Sequence, residues 1–198
     1  MEEKKDKIIN YNFFHWGPLL FQTKLTEKEL DEVKRLCSKE GKDYRENLAG
    51  LIKHEHEIDS KKLFSIIGPY ANSYLNAFRQ YSSKDLGNKV ELIKSWVNYM
   101  IKGEANPLHT HDGDLSFVLF TEIPKDLLKE YKNHIGNTKP GAISFVYTLE
   151  DRKTLVNEHS FFPVAGTFFI FPACLHHYVN PFEGERVSVS GNLGVSDG

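Results

Sequence analysis

Residues 168–179 read Phe-Phe-Ile-Phe-Pro-Ala-Cys-Leu-His-His-Tyr-Val. An apolar, aromatic run of this length that is stopped by a proline is typical of a buried β-strand. The turn at Pro172 then delivers His176 and His177 close to the end of that strand. This stretch therefore predicts a sheet protein in which polar side chains collect where a strand ends.

The rest of the second half of the chain alternates with a period of two, which indicates further strands. The candidates are residues 90–101, 115–123, 142–147, 167–171 and 186–194. Short strands separated by Gly, Pro, Asn and Asp predict a barrel or a sandwich. The connections at 124–140 and 148–163 are long enough to be functional loops. We expect His134 and His159, which lie in these loops, to be solvated. Tyr147, at the end of the strand at 142–147, is expected in the core.

The first third of the chain predicts helices that cover one sheet. Thr26 and Glu29 form a capping-box pattern, which opens a helix over residues 27–38. A second helix begins near Ser60, and we expect the Gly-Pro pair at 68–69 to interrupt it.

Composition bounds the class of protein. The chain has 198 residues, so we expect one domain, in which residues 1–89 form a helical buttress and residues 90–198 the β core. Lys and Arg number 25 against 27 Asp and Glu, a balance that argues against a nucleic-acid partner. The 14 Phe, 9 Tyr and 2 Trp supply enough apolar area to argue against a disordered chain.

Neither cysteine use nor the N-terminus indicates secretion. Cys37 and Cys174 cannot form a disulfide framework, so we expect two free thiols. Residues 1–7 are charged and no long apolar stretch follows, so we expect no signal peptide, no membrane partner and a cytoplasmic location.

A histidine pair precedes the strand at 115–123. In extended backbone, His109 and His111 share a face and can converge on one point. Asp112 faces the other way, but Gly113 lets the chain bend and could return Asp112 or Asp114 to the site. Because an isolated His-x-His pair is more often solvated than metal-bound, the metal interpretation requires a further ligand from elsewhere in the chain.

An arginine follows His177 at a distance of nine residues. Alternation places Arg186, Ser188 and Ser190 on one face of the strand at 186–194 and two valines on the other. If Arg186 faces inward it requires an anion, because an unpaired buried guanidinium is unfavourable. The alternative is that the valines face inward and Arg186 meets solvent.

Together, these parts resemble the iron(II)- and 2-oxoglutarate-dependent dioxygenases. More narrowly, the chain resembles a branch of uncharacterised oxygenases of bacteria and phages over residues 90–195. The residues that carry this resemblance are Ser95-Trp96-Val97-Asn98, Asn106-Pro107-x-His109-x-His111-x-Gly113, and Phe171-Pro172 followed by His177-x-Val179. The resemblance implies a double-stranded β-helix, a jelly-roll or cupin-like barrel buttressed by α-helices. It also implies Fe(II) and 2-oxoglutarate as cofactor and cosubstrate.

The resemblance also assigns roles to residues. It makes His109 and His177 metal ligands, and it makes Arg186 and Ser188 the anchor of the far carboxylate of 2-oxoglutarate. Asn98 and Ser116 would be further cosubstrate contacts, and for Asn98 a structural hydrogen bond is an equal alternative.

The third metal ligand stays open at this stage. The family usually has a carboxylate two positions after the first histidine, whereas this chain has His111. The site therefore has either three histidines or a carboxylate from Asp112 or Asp114, and the face shared with His109 favours His111.

The implied activity is hydroxylation of a small-molecule or peptide substrate, with release of succinate and carbon dioxide. A cupin-like three-histidine metalloenzyme that uses no 2-oxoglutarate is an alternative. So is a catalytically silent barrel that only binds a ligand.

Overall fold

The computed structural model describes residues 17–82, 84–136, 139–150 and 153–197. The charged segment at residues 1–7 lies outside them. The elements in chain order are β1 (Phe21–Lys24), α1 (Glu27–Leu36), a 3-10 turn (Arg45–Asn47), β2 (Glu55–Glu57), α2 (Ser60–Tyr81), β3 (Lys89–Ile101), β4 (Asn106–His109), β5 (Leu115–Glu122), α3 (Leu127–Asn133), β6 (Ile143–Val146), β7 (Glu158–Phe161), β8 (Thr167–Pro172), β9 (His176–Val179) and β10 (Glu185–Ser196).

The strands form two antiparallel sheets. The large sheet has the order β1-β8-β5-β10-β3-β2, and the small sheet has the order β4-β9-β6-β7. The prediction of a mainly β fold with helices is confirmed. Within the described residues, neither sheet closes on itself into a barrel.

Alternation along the central strands places the large sheet between two other layers. On β5, Phe117 and Leu119 pack in the cluster that includes the helices, whereas Val118 and Phe120 pack against the small sheet. All four side chains are buried, so each face of this strand contributes to a core. The molecule is therefore layered as helices, large sheet and small sheet.

This layering decides between the two orientations left open for β10. Val187 and Val189 pack in the helix-side cluster, and Arg186 lies on the opposite face, which the small sheet covers. The solvent-facing alternative for Arg186 is wrong, because both faces of this central strand are buried. In a strand that is buried on both sides, the sequence does not alternate between apolar and polar residues, so it does not indicate which face Arg186 occupies.

Helix α2 corrects the expected interruption at the Gly-Pro pair. The helix runs without a break from Ser60 to Tyr81 with Pro69 inside it. Proline removes one helical hydrogen bond. Leu63 and Ile67, before the proline, and Tyr74, after it, are all buried against the sheet, and this burial offsets the loss. In α1, the capping box at Thr26 and Glu29 is confirmed, and the helix ends at Leu36 instead of 38.

Three expectations for the connections need correction. Residues 124–140 contain α3, which Leu127 anchors in the core, and residues 148–163 contain β7, which pairs with β6. Tyr147, expected in the core, has 51% of its surface exposed because β6 ends at Val146.

The first part of the chain is not purely helical. Its strands β1 and β2 are the two edges of the large sheet, where β1 pairs with β8 and β2 pairs with β3. Three- and four-residue edge strands carry too little alternation to be detected in a sequence. No helix of the described residues combines the length and the apolarity needed to cross a bilayer.

Candidate metal centre and adjoining cavity

Three histidines converge between the two sheets. His109 ends β4 and lies directly opposite His177 on β9, so strand pairing sets their positions. The backbone of the turn holds His111 beside them, because His111 N–H donates to the Ala173 carbonyl at 2.9 Å. Ring nitrogens of the three residues lie within 4.8 Å of one another, and the Nε2 atoms of His111 and His177 are 3.2 Å apart. This is the spacing of a metal-binding triad.

Backbone carbonyls fix the orientation of two of the rings. The Nδ1–H of His109 donates to the Pro107 carbonyl at 2.7 Å, and the Nδ1–H of His177 donates to the Leu175 carbonyl at 2.9 Å. Each bond holds the proton on Nδ1 and leaves the Nε2 lone pair free to coordinate an ion.

Burial keeps the cluster neutral. Desolvation lowers the pKa of His109 and of His177, the latter well below the usual histidine value. Desolvation, together with the nearby His109, lowers the pKa of His111 to about 4. Neutral imidazoles are the form that ligates metals, and a nitrogen donor set of this kind suits divalent iron. The residues present therefore fit a bound Fe(II).

Neither neighbouring acid points into the cluster. The side chain of Asp112 is 95% exposed and faces Lys94, with Oδ2 and Nζ 3.6 Å apart. The Oδ2 atom of Asp114 accepts from the Val195 N–H at 2.7 Å. Of the two arrangements that the sequence leaves open, the described geometry thus presents three histidines to one point.

Arg186 is a buried cation without an anionic partner among the described residues. Its Nη1 donates to the Gly141 carbonyl at 2.8 Å, Nη2 lies 3.5 Å from Met100 Sδ, and Nε has no partner. The guanidinium lies 5.1 Å from the Phe120 ring centre and 5.4 Å from that of Phe182. Burial lowers the pKa of Arg186 to about 9, so it stays charged at neutral pH. One carbonyl and two aromatic rings compensate this buried charge in part, and an anion would compensate it further.

One cavity of about 190 Å³ connects Arg186 to the histidines. Ser188 and Asn98 also line it, and Asn98 Nδ2 donates to Ser190 Oγ at 3.3 Å and lies 3.5 Å from Ser188 Oγ. A cavity that offers a guanidinium and hydroxyl groups fits a carboxylate such as those of 2-oxoglutarate.

Ser116 differs from the other predicted cosubstrate contacts. It is fully buried on β5 and donates to Asn192 Oδ1 at 3.1 Å. It is not among the residues that line the cavity, so its cosubstrate role stays a prediction. His134 and His159 are exposed, and neither belongs to the cluster.

Further residues line the cavity, and sequence reasoning assigned no role to them. Residues 47–50 and Glu55 line it, together with Trp96, whose ring centre lies 5.6 Å from that of His111. Trp96 belongs to a motif that the sequence analysis singled out, whereas Glu55 lies in a polar stretch without a distinguishing pattern.

Comparisons with known proteins agree with this geometry. Residues 94–192, half of the chain, match the family model described as "Putative 2OG-Fe(II) oxygenase". No curated protein matches the chain.

Solved structures share the fold at low identity. A 2OG-Fe(II) oxygenase family oxidoreductase from Burkholderia pseudomallei is 12% identical, with a TM-score of 0.58 over 92% of this chain and 86% of that one. The viral collagen prolyl hydroxylase of Paramecium bursaria Chlorella virus-1, solved with 2OG, is 13% identical, with a TM-score of 0.56 over 89% and 96%. A Pseudomonas putida prolyl-4-hydroxylase is 18% identical, with a TM-score of 0.53 over 89% and 92%.

The family match covers β4 to β9 and most of β3 and β10, and the three histidines and Arg186 lie within it. The chain therefore belongs to the 2-oxoglutarate- and Fe(II)-dependent oxygenase family, whose metal and cosubstrate are Fe(II) and 2-oxoglutarate.

Proposed function

We propose that this protein is an Fe(II)- and 2-oxoglutarate-dependent dioxygenase that hydroxylates a small-molecule or peptide substrate and releases succinate and carbon dioxide. One observation supports this above the others. The buried, unpaired guanidinium of Arg186 lines the same cavity as the three neutral histidines.

In this proposal, His109, His111 and His177 hold the metal through Nε2. Bound iron, with 2-oxoglutarate and oxygen, supplies the oxidising power for hydroxylation of a C–H bond. The Pro107 and Leu175 carbonyls keep two of the rings oriented, so that their Nε2 atoms can ligate the metal.

Arg186 positions the cosubstrate in this proposal. Its planar guanidinium can donate two parallel hydrogen bonds to the far carboxylate, and the hydroxyl of Ser188 lies two residues along the same strand face. Phe120 and Phe182 cover the guanidinium, which excludes water and strengthens the ion pair. Asn98 is a further donor on the neighbouring strand.

We also propose that the two sheets are the two halves of a double-stranded β-helix, and that the helices α1 and α2 buttress it. Two features support this assignment. Helix α2 packs against one face of the large sheet. The small sheet covers the other face of the large sheet, at the metal centre.

A cupin-like enzyme without 2-oxoglutarate accounts for the histidines but leaves Arg186 as a buried charge without a function. A silent ligand-binding barrel accounts for the cavity but gives no reason for three neutral ligating nitrogens at one point.

Conversion of 2-oxoglutarate to succinate can be measured without a known substrate, and this measurement tests the proposal. The protein is incubated with Fe(II), 2-oxoglutarate and oxygen, and succinate is measured by chromatography. We expect succinate above the level formed by free iron, loss of that excess in His177→Ala, and no loss in His134→Ala, which removes an exposed histidine outside the cluster. Excess succinate that persists in His177→Ala would refute the assigned site. Binding of 2-oxoglutarate without any turnover would favour the silent barrel.

A further inference from the structure

Glu55 is a buried acidic residue in the cavity that Arg186 and the three histidines also line. It begins β2, and only 1% of its surface is exposed. Its Oε2 atom has no hydrogen-bond partner among the described residues, although the side chain lines the cavity that contains the histidines. A buried carboxyl group without a partner is unfavourable in either protonation state.

Strand pairing fixes the position of Glu55 relative to the proposed 2-oxoglutarate site. Glu55 lies opposite Asn98 on β3, and Asn98 lies opposite Ser188 on β10. Two strand spacings, about 10 Å, therefore separate the backbone of Glu55 from the strand that carries Arg186. The cavity thus has a cation on one strand and a carboxyl group two strands away.

No cation of the described residues forms a salt bridge with Glu55. Arg45 is engaged with Asp43, through Nε hydrogen bonds of 2.9 and 3.0 Å. Desolvation, together with the like charge of Glu104, raises the pKa of Glu55 to about 7, and the positive charge of Arg45 opposes this rise only in part.

Glu104 also shows what a structural buried carboxylate looks like in this protein. Its two oxygens accept from the Lys53 N–H and the Ile101 N–H, both at 3.0 Å. Backbone donors thus compensate Glu104 fully, whereas Oε2 of Glu55 is left without a donor. The contrast indicates that Glu55 is arranged for a ligand and not for the fold.

We propose that Glu55 binds a cationic amino or guanidino group of the substrate. This inference rests on the proposed function, because it assigns the Arg186 end of the cavity to 2-oxoglutarate and the Glu55 end to the substrate. A cation beside Glu55 supplies the missing donor and compensates the carboxylate.

The loop at residues 47–50 bounds the space around this carboxyl group. A methyl group added at Gly50 would lie 3.1 Å from Oε1 of Glu55, which is closer than ordinary contact. The same methyl group would lie 3.1 Å from Cδ1 of Ile52, so the loop packs closely against the carboxyl group and a side chain at residue 50 would crowd it.

Binding of simple probes tests the inference without turnover. The protein is loaded with Zn(II), which does not react with oxygen, and is first titrated with 2-oxoglutarate alone by calorimetry. The complex is then titrated with n-butylamine or n-butylguanidine, and with butan-1-ol as the neutral analogue. The backbone amides of residues 50 and 55 and the indole N–H of Trp96 are followed by NMR.

We expect at least one of the two cations to bind at least tenfold more tightly than butan-1-ol. In Glu55→Gln, which keeps the shape and removes the charge, that preference should disappear. In Glu57→Gln, which removes an exposed carboxylate on the same strand that pairs with Lys42, it should remain.

The outcomes separate the two proposals. If 2-oxoglutarate binds and wild type does not distinguish either cation from butan-1-ol, the role of Glu55 is wrong and the proposed function stands. If 2-oxoglutarate does not bind at all, the proposed function is wrong, and the role of Glu55 in substrate binding is wrong with it. A cation preference that Glu55→Gln retains also overturns the assignment, and the comparison of probes on wild type stays decisive even if a variant does not fold.

Discussion

His111 and His177 are 66 residues apart in the sequence, yet their Nε2 atoms lie 3.2 Å apart. Two lone pairs at this separation, inside a buried cluster, are arranged to share an ion. The relationship joins a turn before β5 to the strand β9 of the small sheet.

Metal affinity should follow this geometry. We expect His111→Ala to abolish stoichiometric Fe(II) binding as completely as His109→Ala, because each contributes one of three ligands. Asp112→Ala should cost less than twofold in affinity, since its carboxylate faces solvent and Lys94. Anaerobic Fe(II) titration by calorimetry measures the three variants. If the ranking is reversed, the site is an ordinary two-histidine, one-carboxylate centre.

The histidines of the site can be predicted from the sequence because two of them are two residues apart and the third directly follows a strand and its turn. Spacing of two along extended backbone was enough to place His109 and His111 together, and the turn at Pro172 pointed to His177. The orientation of Arg186 could not be derived, because β10 is buried on both faces and its valines fit either one.

Residues that enter the cavity only through pairing between strands distant in the sequence could not be predicted. Glu55 enters the cavity only because the three-residue strand β2 pairs with β3, and so short a strand has no detectable period. The uninterrupted helix α2 was missed for a similar reason, since packing against the sheet outweighs the local effect of Pro69.

Arg186 should matter for the cosubstrate and not for the metal. Arg186→Lys keeps the charge but loses the planar pair of donors, so we expect the Kd for 2-oxoglutarate to rise at least tenfold while Zn(II) affinity stays within twofold. Calorimetry on the Zn(II)-loaded protein measures both quantities. An unchanged Kd for 2-oxoglutarate would remove Arg186 from the anchor role.

The same residue should lower the stability of the empty protein. Arg186 is buried without an anion, so Arg186→Met is expected to raise the free energy of unfolding by about 1–4 kcal/mol in the absence of 2-oxoglutarate. Urea denaturation checks this, with saturating 2-oxoglutarate as the comparison, which should stabilise only wild type. A loss of stability in Arg186→Met would show that the bond to the Gly141 carbonyl is structural.

Glu55 should make stability fall with rising pH. Its pKa is raised from 4.5 to about 7 in the folded protein, so the folded state binds the proton more tightly than the unfolded state does. The stability that this proton contributes is fully present below pH 4.5 and is lost as the pH rises to about 7. The total is about 3 kcal/mol at 1.36 kcal/mol per pKa unit.

Glu55→Gln isolates this contribution from that of the buried histidines. Gln does not titrate, so we expect the free energy of unfolding of the variant to rise relative to that of wild type between pH 5 and pH 8. For Glu57→Gln we expect the same dependence on pH as for wild type. Urea denaturation at each pH measures the difference. Parallel curves for Glu55→Gln and wild type would mean that Glu55 ionises as an ordinary exposed carboxyl group.

The centre of the large sheet should tolerate no side chain at Gly191. This residue lies on β10 between β3 and β5, and an added Cβ would be 2.5 Å from the Lys94 carbonyl oxygen and 2.7 Å from the Phe117 ring. Backbone and a buried ring cannot both move aside, so Gly191→Ala is expected to cost about 1–3 kcal/mol or more. Gly194→Ala is the matched control on the same strand, because the nearest atoms to its added Cβ belong to the side chains of Ile93 and Glu91, at 3.3 Å or more. Urea denaturation of the two variants should show the larger loss at 191, and equal losses would mean that β10 can shift away from Phe117.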